Sequence, residues 1–394
     1  MKFLPAFLLS LSAIAATAAP VIDGFLDGSY YGAALSVQDT PTGFGDATNG
    51  HPRMALGGSE VDAAYAKVED GVLYLFIAGN VEMAGQGVDF APGNPNRLNF
   101  FIDSIPGGQN SLRGDNADVD GGGLNRMGHL NPENDGLKFD TNVTADFYFT
   151  FNGFTVVQNF PVIGNRELWR GQLHYATLPT GGNGTGGNIG TAADSFPGSY
   201  PASFTFTNGI ILGFRNDNKL GVTGTGDPSP SAAGAASVTN GLELAIPLAL
   251  LDDDNGNVQS EIRIVAFISN ADHGFLSNQV LGPMNQPTNA YGNLGDPRLF
   301  DFGAAYSPGD QFFALGNAFP NTRSILDHAL QSDGSVSNRW LAEYGRPYVV
   351  QTTDDLVSGT WSDVSGVVTA TAATVSSVVT TTADRAFIRI LGNP

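Results

Sequence analysis

Apolar and polar side chains alternate with a period of two along much of this chain, and that pattern predicts strands. In Asn96 to Gly108, Leu98, Phe100 and Ile102 alternate with Asn99, Phe101 and Asp103, and Ser104, Pro106, Gly107 and Gly108 end the run. Phe147, Phe149 and Phe151 fall on one side of Ala145 to Phe151. Ile262, Ile264, Ala266 and Ile268 share one face of Glu261 to Ser269. Val72 to Ala78 is apolar on both faces, which predicts a central strand. Further strands are predicted over Phe154 to Phe160, over Arg166 to Leu178, on both sides of Asn208-Gly209, and in Gly241 to Leu251 up to Pro247. Arg298 to Phe302 and Gln311 to Leu315 read as closing strands. Asn152-Gly153, between two such runs, predicts a hairpin turn. The expected fold class is all-β, a mainly antiparallel β-sandwich.

Three stretches break the pattern. Leu112 to Gly136 is polar with almost no periodicity and reads as a long loop. Thr180 to Thr191, TGGNGTGGNIGT, reads as a mobile glycine loop; it lacks the Lys and following helix of a phosphate cradle. Thr322 to Ser332 and Ser335 to Tyr344 show helical spacing and predict a short helical connector over 321–346. From Pro347 the chain is rich in Thr and Val and predicts a small β module, 347–394. At about 45 residues it is small for independent folding and should lean on a neighbour. The sandwich then occupies 19–320.

Lys2, the apolar run Phe3 to Ile14 and Ala16-Thr17-Ala18 have the layout of a signal peptide, 1–18, and predict export. The run is too short to span a bilayer, and no other stretch reads as a membrane span. A net charge of -20 argues against nucleic acid and anionic membranes as partners and suits cations or neutral ligands. With no Cys, stability must come from the core or from bound ions, as in bacterial rather than animal secreted proteins.

Asn116, Asp118 and Asp120 in NADVDG place oxygen ligands two residues apart before Gly121, like the first half of a calcium loop. Met127 stands where the bidentate acid would complete that loop. A looser Ca²⁺ site closed by Asp103, Asp115 or backbone carbonyls is the alternative, and an Asx-rich turn is the plain one. Asp252, Asp253, Asp254 and Asn255 form a second acidic turn. His51, His129, His174, His273 and His328 are isolated, and neither an H-x-x-x-H nor a G-x-S-x-G motif occurs. Trp169 could act as an aromatic platform for sugar, with Arg166, Glu167 and Arg170 beside it, or sit half-buried in a strand.

Three segments, IDGFLDG at Ile22 to Gly28, LNFFID at Leu98 to Asp103 and GLELAIPLALL at Gly241 to Leu251, occur in this order. Together they resemble the motifs of the family 9 carbohydrate-binding-module-like β-sandwich, a relative of the DOMON-type sandwich. The resemblance covers about residues 20–315 and implies carbohydrate recognition. GLKFDTNVTADFYFTF and FLSNQVLG are similar to segments of uncharacterised secreted bacterial sandwich proteins. YVVQTTDDLVSGTW with AFIRI resembles small accessory C-terminal modules of such proteins. The expected function is non-catalytic recognition of extracellular polysaccharide or cell-surface glycan, with a structural Ca²⁺. The alternatives are a self-associating structural protein of the cell surface or an extracellular fibre, and a polysaccharide-active enzyme.

Overall fold

The computed structural model describes residues 19–38, 40–44, 59–83, 95–129, 136–193, 203–218, 220–222, 232–253, 258–282, 292–304, 310–316, 325–331, 335–341, 347–354, 361–365, 368–369, 374–380 and 387–392. The expected signal peptide, 1–18, lies outside them, as do Asp254 and Asn255 of the second acidic turn. In chain order the first strands are β1 (Ser36–Val37), β2 (Glu60–Glu69), β3 (Val72–Asn80), β4 (Arg97–Asp103), β5 (Phe147–Phe160), β6 (Gly164–Thr177) and β7 (Gly186–Ala193). They continue with β8 (Phe204–Thr205), β9 (Ile211–Phe214), β10 (Gly241–Pro247), β11 (Glu261–Ser269), β12 (Leu276–Leu281) and β13 (Phe313–Gly316). Two short helices matter here, α1 (Gly28–Tyr31) and α2 (Gly123–Met127).

A six-stranded sheet runs β1-β2-β3-β10-β9-β8. A seven-stranded sheet runs β12-β11-β4-β5-β6-β7, with β13 pairing the Glu261–Ile264 half of β11. The pairings are antiparallel, and β3 and β4 each have a neighbour on both sides, as their apolar composition requires. Alternation then sorts the side chains. Leu73, Leu75 and Ile77 of β3, Leu98, Phe100 and Ile102 of β4, Phe147, Phe149 and Phe151 of β5 and Ile262, Ile264, Ala266 and Ile268 of β11 join one hydrophobic cluster fed by both sheets. Phe100 stacks on Phe149 at 5.1 Å in this core. Full burial of each such ring contributes roughly 1.5–3 kcal/mol.

Each sheet also has an outer face with a cover. Tyr30 and Tyr31 of α1 pack with Tyr65 and Phe76 outside the six-stranded sheet. Outside the seven-stranded sheet, Phe101, Tyr148, Val265 and Phe267 are covered by Leu112, Val119, Leu124, Met127, Leu137 and Phe139. The stretch Leu112 to Gly136, expected to be a long loop, is over its described part a cover for the sheet and carries α2. Its described apolar residues Leu112, Val119, Leu124 and Met127 are buried, but only the last two share a helix, and five residues are too few to print a period.

Two further expectations change. β5 runs straight through Asn152-Gly153, and the turn lies at 161–163. Gly153 is there for space: a Cβ would meet the Met83 side chain at 2.6 Å. Part of the glycine-rich stretch is the edge strand β7, which pairs with β6 over Arg170–Ala176.

The remaining strands are β14 (Ile325–Leu330), β15 (Val336–Leu341), β16 (Pro347–Thr353), β17 (Ser362–Asp363), β18 (Val368–Thr369), β19 (Thr374–Val379) and β20 (Phe387–Gly392). β14 pairs β15, β15 pairs β19, and β16 pairs β17, β18 and β20. The expected helical connector is therefore two strands of a sheet. A register shift between Ile325 and Asp327 breaks the alternation of β14 and gives the false helical spacing. Trp340 of β15 packs edge-on against Tyr348 of β16 in a small core with Val350, Val379 and Ile390.

Candidate functional site

A group of ionisable side chains, Arg97, Asp120, His174 and His273, sits on the outer face of the seven-stranded sheet. Alternation that sends Leu98 and Phe100 inward sends Arg97 and Asn99 outward, and the same rule places Thr150, His174 and Ser269 on that face, beneath its cover. Asn99 stands opposite Thr150 and Thr150 opposite His174. Over this polar row lies the turn Asp120-Gly121-Gly122, with left-handed φ of 49°, 65° and 87°. Three such residues in succession reverse the chain and aim the Asp120 carboxylate down at the sheet.

Asp120 Oδ2 accepts from Arg97 Nε at 2.6 Å and lies 2.8 Å from His273 Nε2. Gly123 makes the approach possible, because a Cβ there would lie 2.1 Å from the His273 ring. The far ring nitrogen, Nδ1, stands 3.4 Å from Ser269 Oγ, which accepts from Asn99 Nδ2 at 2.8 Å. Asn99 Oδ1 in turn accepts from the Tyr148 hydroxyl at 2.8 Å. His174 Nδ1 lies 3.9 Å from Asp120 Oδ1, beyond hydrogen-bond range. Neither that nitrogen nor Asn152 Oδ1 has a hydrogen-bond partner.

Burial raises the Asp120 carboxyl, but the His273 hydrogen bond and the Arg97 guanidinium outweigh it and hold it well below the usual carboxylate range. Burial lowers the His273 imidazole, and Asp120 only partly restores it. His174 is likewise lowered, first by burial and then by Arg97, against the pull of Asp120. At neutral pH both rings are therefore uncharged, and the network assigns the His273 proton to Nε2, donating to Asp120.

Ser269, His273 and Asp120 follow one another as a nucleophile, base and orienting acid would. Ser269 and His273 are nevertheless fully buried, and the serine hydroxyl is already engaged. No substrate can reach that hydroxyl in this structure. What the arrangement does is fasten the cover to the sheet.

The residues singled out in the sequence fall in different places. Trp169 of β6 faces the inner core, fully buried, at 5.6 Å from Phe214, and its indole N–H has no acceptor. Its ring folds over Gly171, where a Cβ would meet it at 2.7 Å. The expected sugar platform is thus an internal packing ring. Arg166 is exposed near the β5–β6 turn, and Arg170, half-buried, donates to the Trp169 carbonyl. Asn116 is buried and tied to Gln109, to Asn125 and to the Arg113 carbonyl. Asp118 is exposed, and Asp115 pairs with Arg113 at 2.8 Å. Asn116, Asp118 and Asp120 share no partner, and among the described residues no group of three acids or histidines is placed to hold a metal.

The motifs that carried the family resemblance are internal clasps too. Glu243 Oε2 accepts from the backbone N–H of Asp23 and Gly24, and Oε1 accepts from the Tyr31 hydroxyl. Asp103 accepts from the Thr144 N–H and from Gln259, and Asp146 accepts from the N–H groups of Ser104 and Ile105. In β2 the register shift between Val61 and Ala63 leaves Asp62 bulged, where it meets Asn218 and the Val222 N–H.

Sequence reasoning missed one surface feature. Phe44 and Phe275 stack at 6.1 Å with 12° between ring planes, and Phe275 is 41% exposed. The signal was an aromatic residue directly after the polar turn Asn270-Ala271-Asp272-His273-Gly274, where burial would not be expected. Comparison with family models, curated proteins and solved structures finds no match to this chain.

Proposed function

We propose that this chain is an exported, non-catalytic binding protein whose ligand is a neutral extracellular polysaccharide. The observation that carries the reading is the fate of the reactive groups. The carboxylates and imidazoles grouped in the fold, Asp120 with His273, Glu243 with Tyr31, and Asp103 with Asp146 nearby, are spent on holding segments together. What remains for an outside partner belongs to a chain of formal net charge -20, which repels polyanions and tolerates uncharged sugar. An array of neutral glucans, xylans, mannans and galactans tests the proposal. Retention on at least one polysaccharide without release of reducing ends is expected, and release of reducing ends would make the chain an enzyme instead.

The structural reading draws on a different observation. Val364, Val378 and Phe387 stand exposed in the C-terminal segments, an apolar set that suits contact with another copy at the cell surface. Sedimentation that shifts to larger species with concentration, with no retention on any polysaccharide, would favour it. A structural Ca²⁺ at Asn116, Asp118 and Asp120 is read by melting the protein with and without EDTA, because a bound ion stabilises only the folded form. A midpoint unchanged by EDTA removes those residues as ligands.

A further inference from the structure

Phe44 and Phe275 come from segments more than two hundred residues apart, and both backbones are fixed by side-chain amides. The Gly43 N–H donates to Asn278 Oδ1 at 2.8 Å, and the Gly43 carbonyl accepts from Asn293 Nδ2 at 3.1 Å. Asn278 itself donates to the Pro41 carbonyl, and the Phe44 N–H donates to Thr42 Oγ1. Glycine at 43 leaves room for the Asn293 amide, since a Cβ would lie 2.2 Å from its Oδ1 and push that side chain aside. On the other side the Phe275 N–H donates to Asn270 Oδ1, and its carbonyl accepts from the Asn270 N–H, both at 3.0 Å. So one exposed ring, Phe275, lies nearly parallel to Phe44, which is half-buried and rests on the main core, and both stand on immobilised backbone.

Polar groups border the rings. Arg126 lies over Gly274, whose Cβ would come 2.8 Å from its Nε, and pairs with Asp272 at 3.1 Å. Both of those side chains are more than half exposed, and Asn293 is exposed on the Phe44 side. An exposed aromatic ring backed by a second one, with a carboxylate, a guanidinium and an amide on the flanking residues, matches the two surfaces of a pyranose ring, a C–H face and a hydroxyl edge. An extended apolar partner would leave the Arg126–Asp272 pair desolvated, and a polyanion meets the net charge of -20. Fixing the rings beforehand removes the ordering cost of binding.

We infer that the Phe44–Phe275 stack, with Arg126, Asp272 and Asn293 at its rim, is the sugar-binding subsite of this protein. The inference rests on the polysaccharide reading above. The full mature chain is tested on the same array of neutral glucans, xylans, mannans and galactans, beside Phe275→Ala, Phe275→Trp and Asp272→Asn, with melting and sedimentation run on each. Phe275→Ala is expected to weaken retention about tenfold or more at an unchanged melting midpoint, while Phe275→Trp retains binding. Asp272→Asn is expected to weaken it by a smaller factor, and serves if Phe275→Ala melts early. Wild-type binding that survives Phe275→Ala and Asp272→Asn would overturn this site and leave the polysaccharide reading standing. Absence of wild-type binding to the whole array would overturn both. A wild-type dimer that Phe275→Ala converts to monomer would assign the rings to a second copy of the chain and also overturn the inference.

Discussion

Asp120 and His273 both hold left-handed backbone, at φ 49° and 57°, and their side chains meet at 2.8 Å. Each such residue costs roughly 1–2 kcal/mol relative to ordinary backbone. The contact between the two side chains holds both turns in this form, and Arg97 pairs with Asp120 beneath them.

This relationship orders a set of variants. Asp120→Asn leaves Arg97 buried beside a neutral amide and should cost about 3 kcal/mol of stability. His273→Ala loses the hydrogen bond but keeps the backbone strain. His273→Gly loses the same bond and relieves the strain, so it should be the more stable of the two by about 1 kcal/mol. Urea midpoints for the three variants check the order; a glycine variant no better than alanine would mean that the left-handed turn is not under strain.

The same clasp is sensitive to acid. His273 and His174 are held below their ordinary value of 6.5 in the folded chain. Below pH 6.5 the unfolded chain therefore binds protons that the folded chain refuses, and stability falls with pH. Asp120, held below its ordinary 3.8, adds a second loss as pH drops through 4 and beneath it. Both rings face Arg97 and Asp120, His273 also faces Asp272, and His273 itself acts on His174. His273→Gln keeps a donor toward Asp120 and cannot titrate. Between pH 6.5 and 5 the wild type should lose stability against this variant, at up to about 1.4 kcal/mol per pH unit. Urea melts at half-unit intervals give the slope, and parallel curves would refute a neutral buried His273.

Gly171 and Gly153 face each other across β5 and β6 but should respond differently to alanine. At 171 the added carbon meets the Trp169 ring at 2.7 Å and the Phe151 ring at 2.8 Å, both locked in the core. At 153 it meets the Met83 side chain from Cγ to Cε, a thioether that bends more readily than a ring. Gly171→Ala should cost about 2–3 kcal/mol and Gly153→Ala about 1 kcal/mol or less. Thermal midpoints compare them, and equal shifts would mean that the Trp169 ring moves as freely as Met83.

These cases show where the sequence was readable. Strands with one face in a core, such as β4, β5 and β11, print that face as alternation, and the Leu98, Phe147 and Ile262 sets land where the period puts them. Some residues carry two explanations that only the fold separates. Asn152-Gly153 looks like a turn, yet Gly153 serves close approach inside a strand. DVDGG looks like half a metal loop, yet its glycines supply left-handed backbone that points Asp120 at Arg97. Both differences depend on what stands opposite in space, and one chain read in order does not carry that. The cover built from Leu112, Val119, Leu124 and Met127 has no period to detect, and the bulge in β14 turned a strand into helical spacing. Phe44 and Phe275 were illegible for the same reason: each is unremarkable alone, and only the fold stacks them.

Glu243 gives the last prediction, and it runs opposite to that of the histidines. Its carboxyl is fully buried and holds the opening Asp23-Gly24 turn against the six-stranded sheet. Burial raises its pKa from 4.5 to about 7, because the Tyr31 hydroxyl and the two backbone N–H groups only partly offset desolvation. A raised carboxyl favours folding most below its unfolded value and loses that contribution as pH rises through its folded value. The window is therefore pH 4.5 to about 7, with a total of roughly 3 kcal/mol. Glu243→Gln cannot ionise and keeps an acceptor for one of its partners. At pH 5 it should be no more stable than the wild type, and by pH 8 it should have gained on the wild type by up to roughly 3 kcal/mol. Asp146, raised to about 7 by burial, titrates in the same range but is present in both chains and cancels in the difference. Urea unfolding of both proteins from pH 5 to 8 measures it. A gap that stays constant would show that Glu243 is ionised throughout and that the opening turn is held by a permanent buried charge.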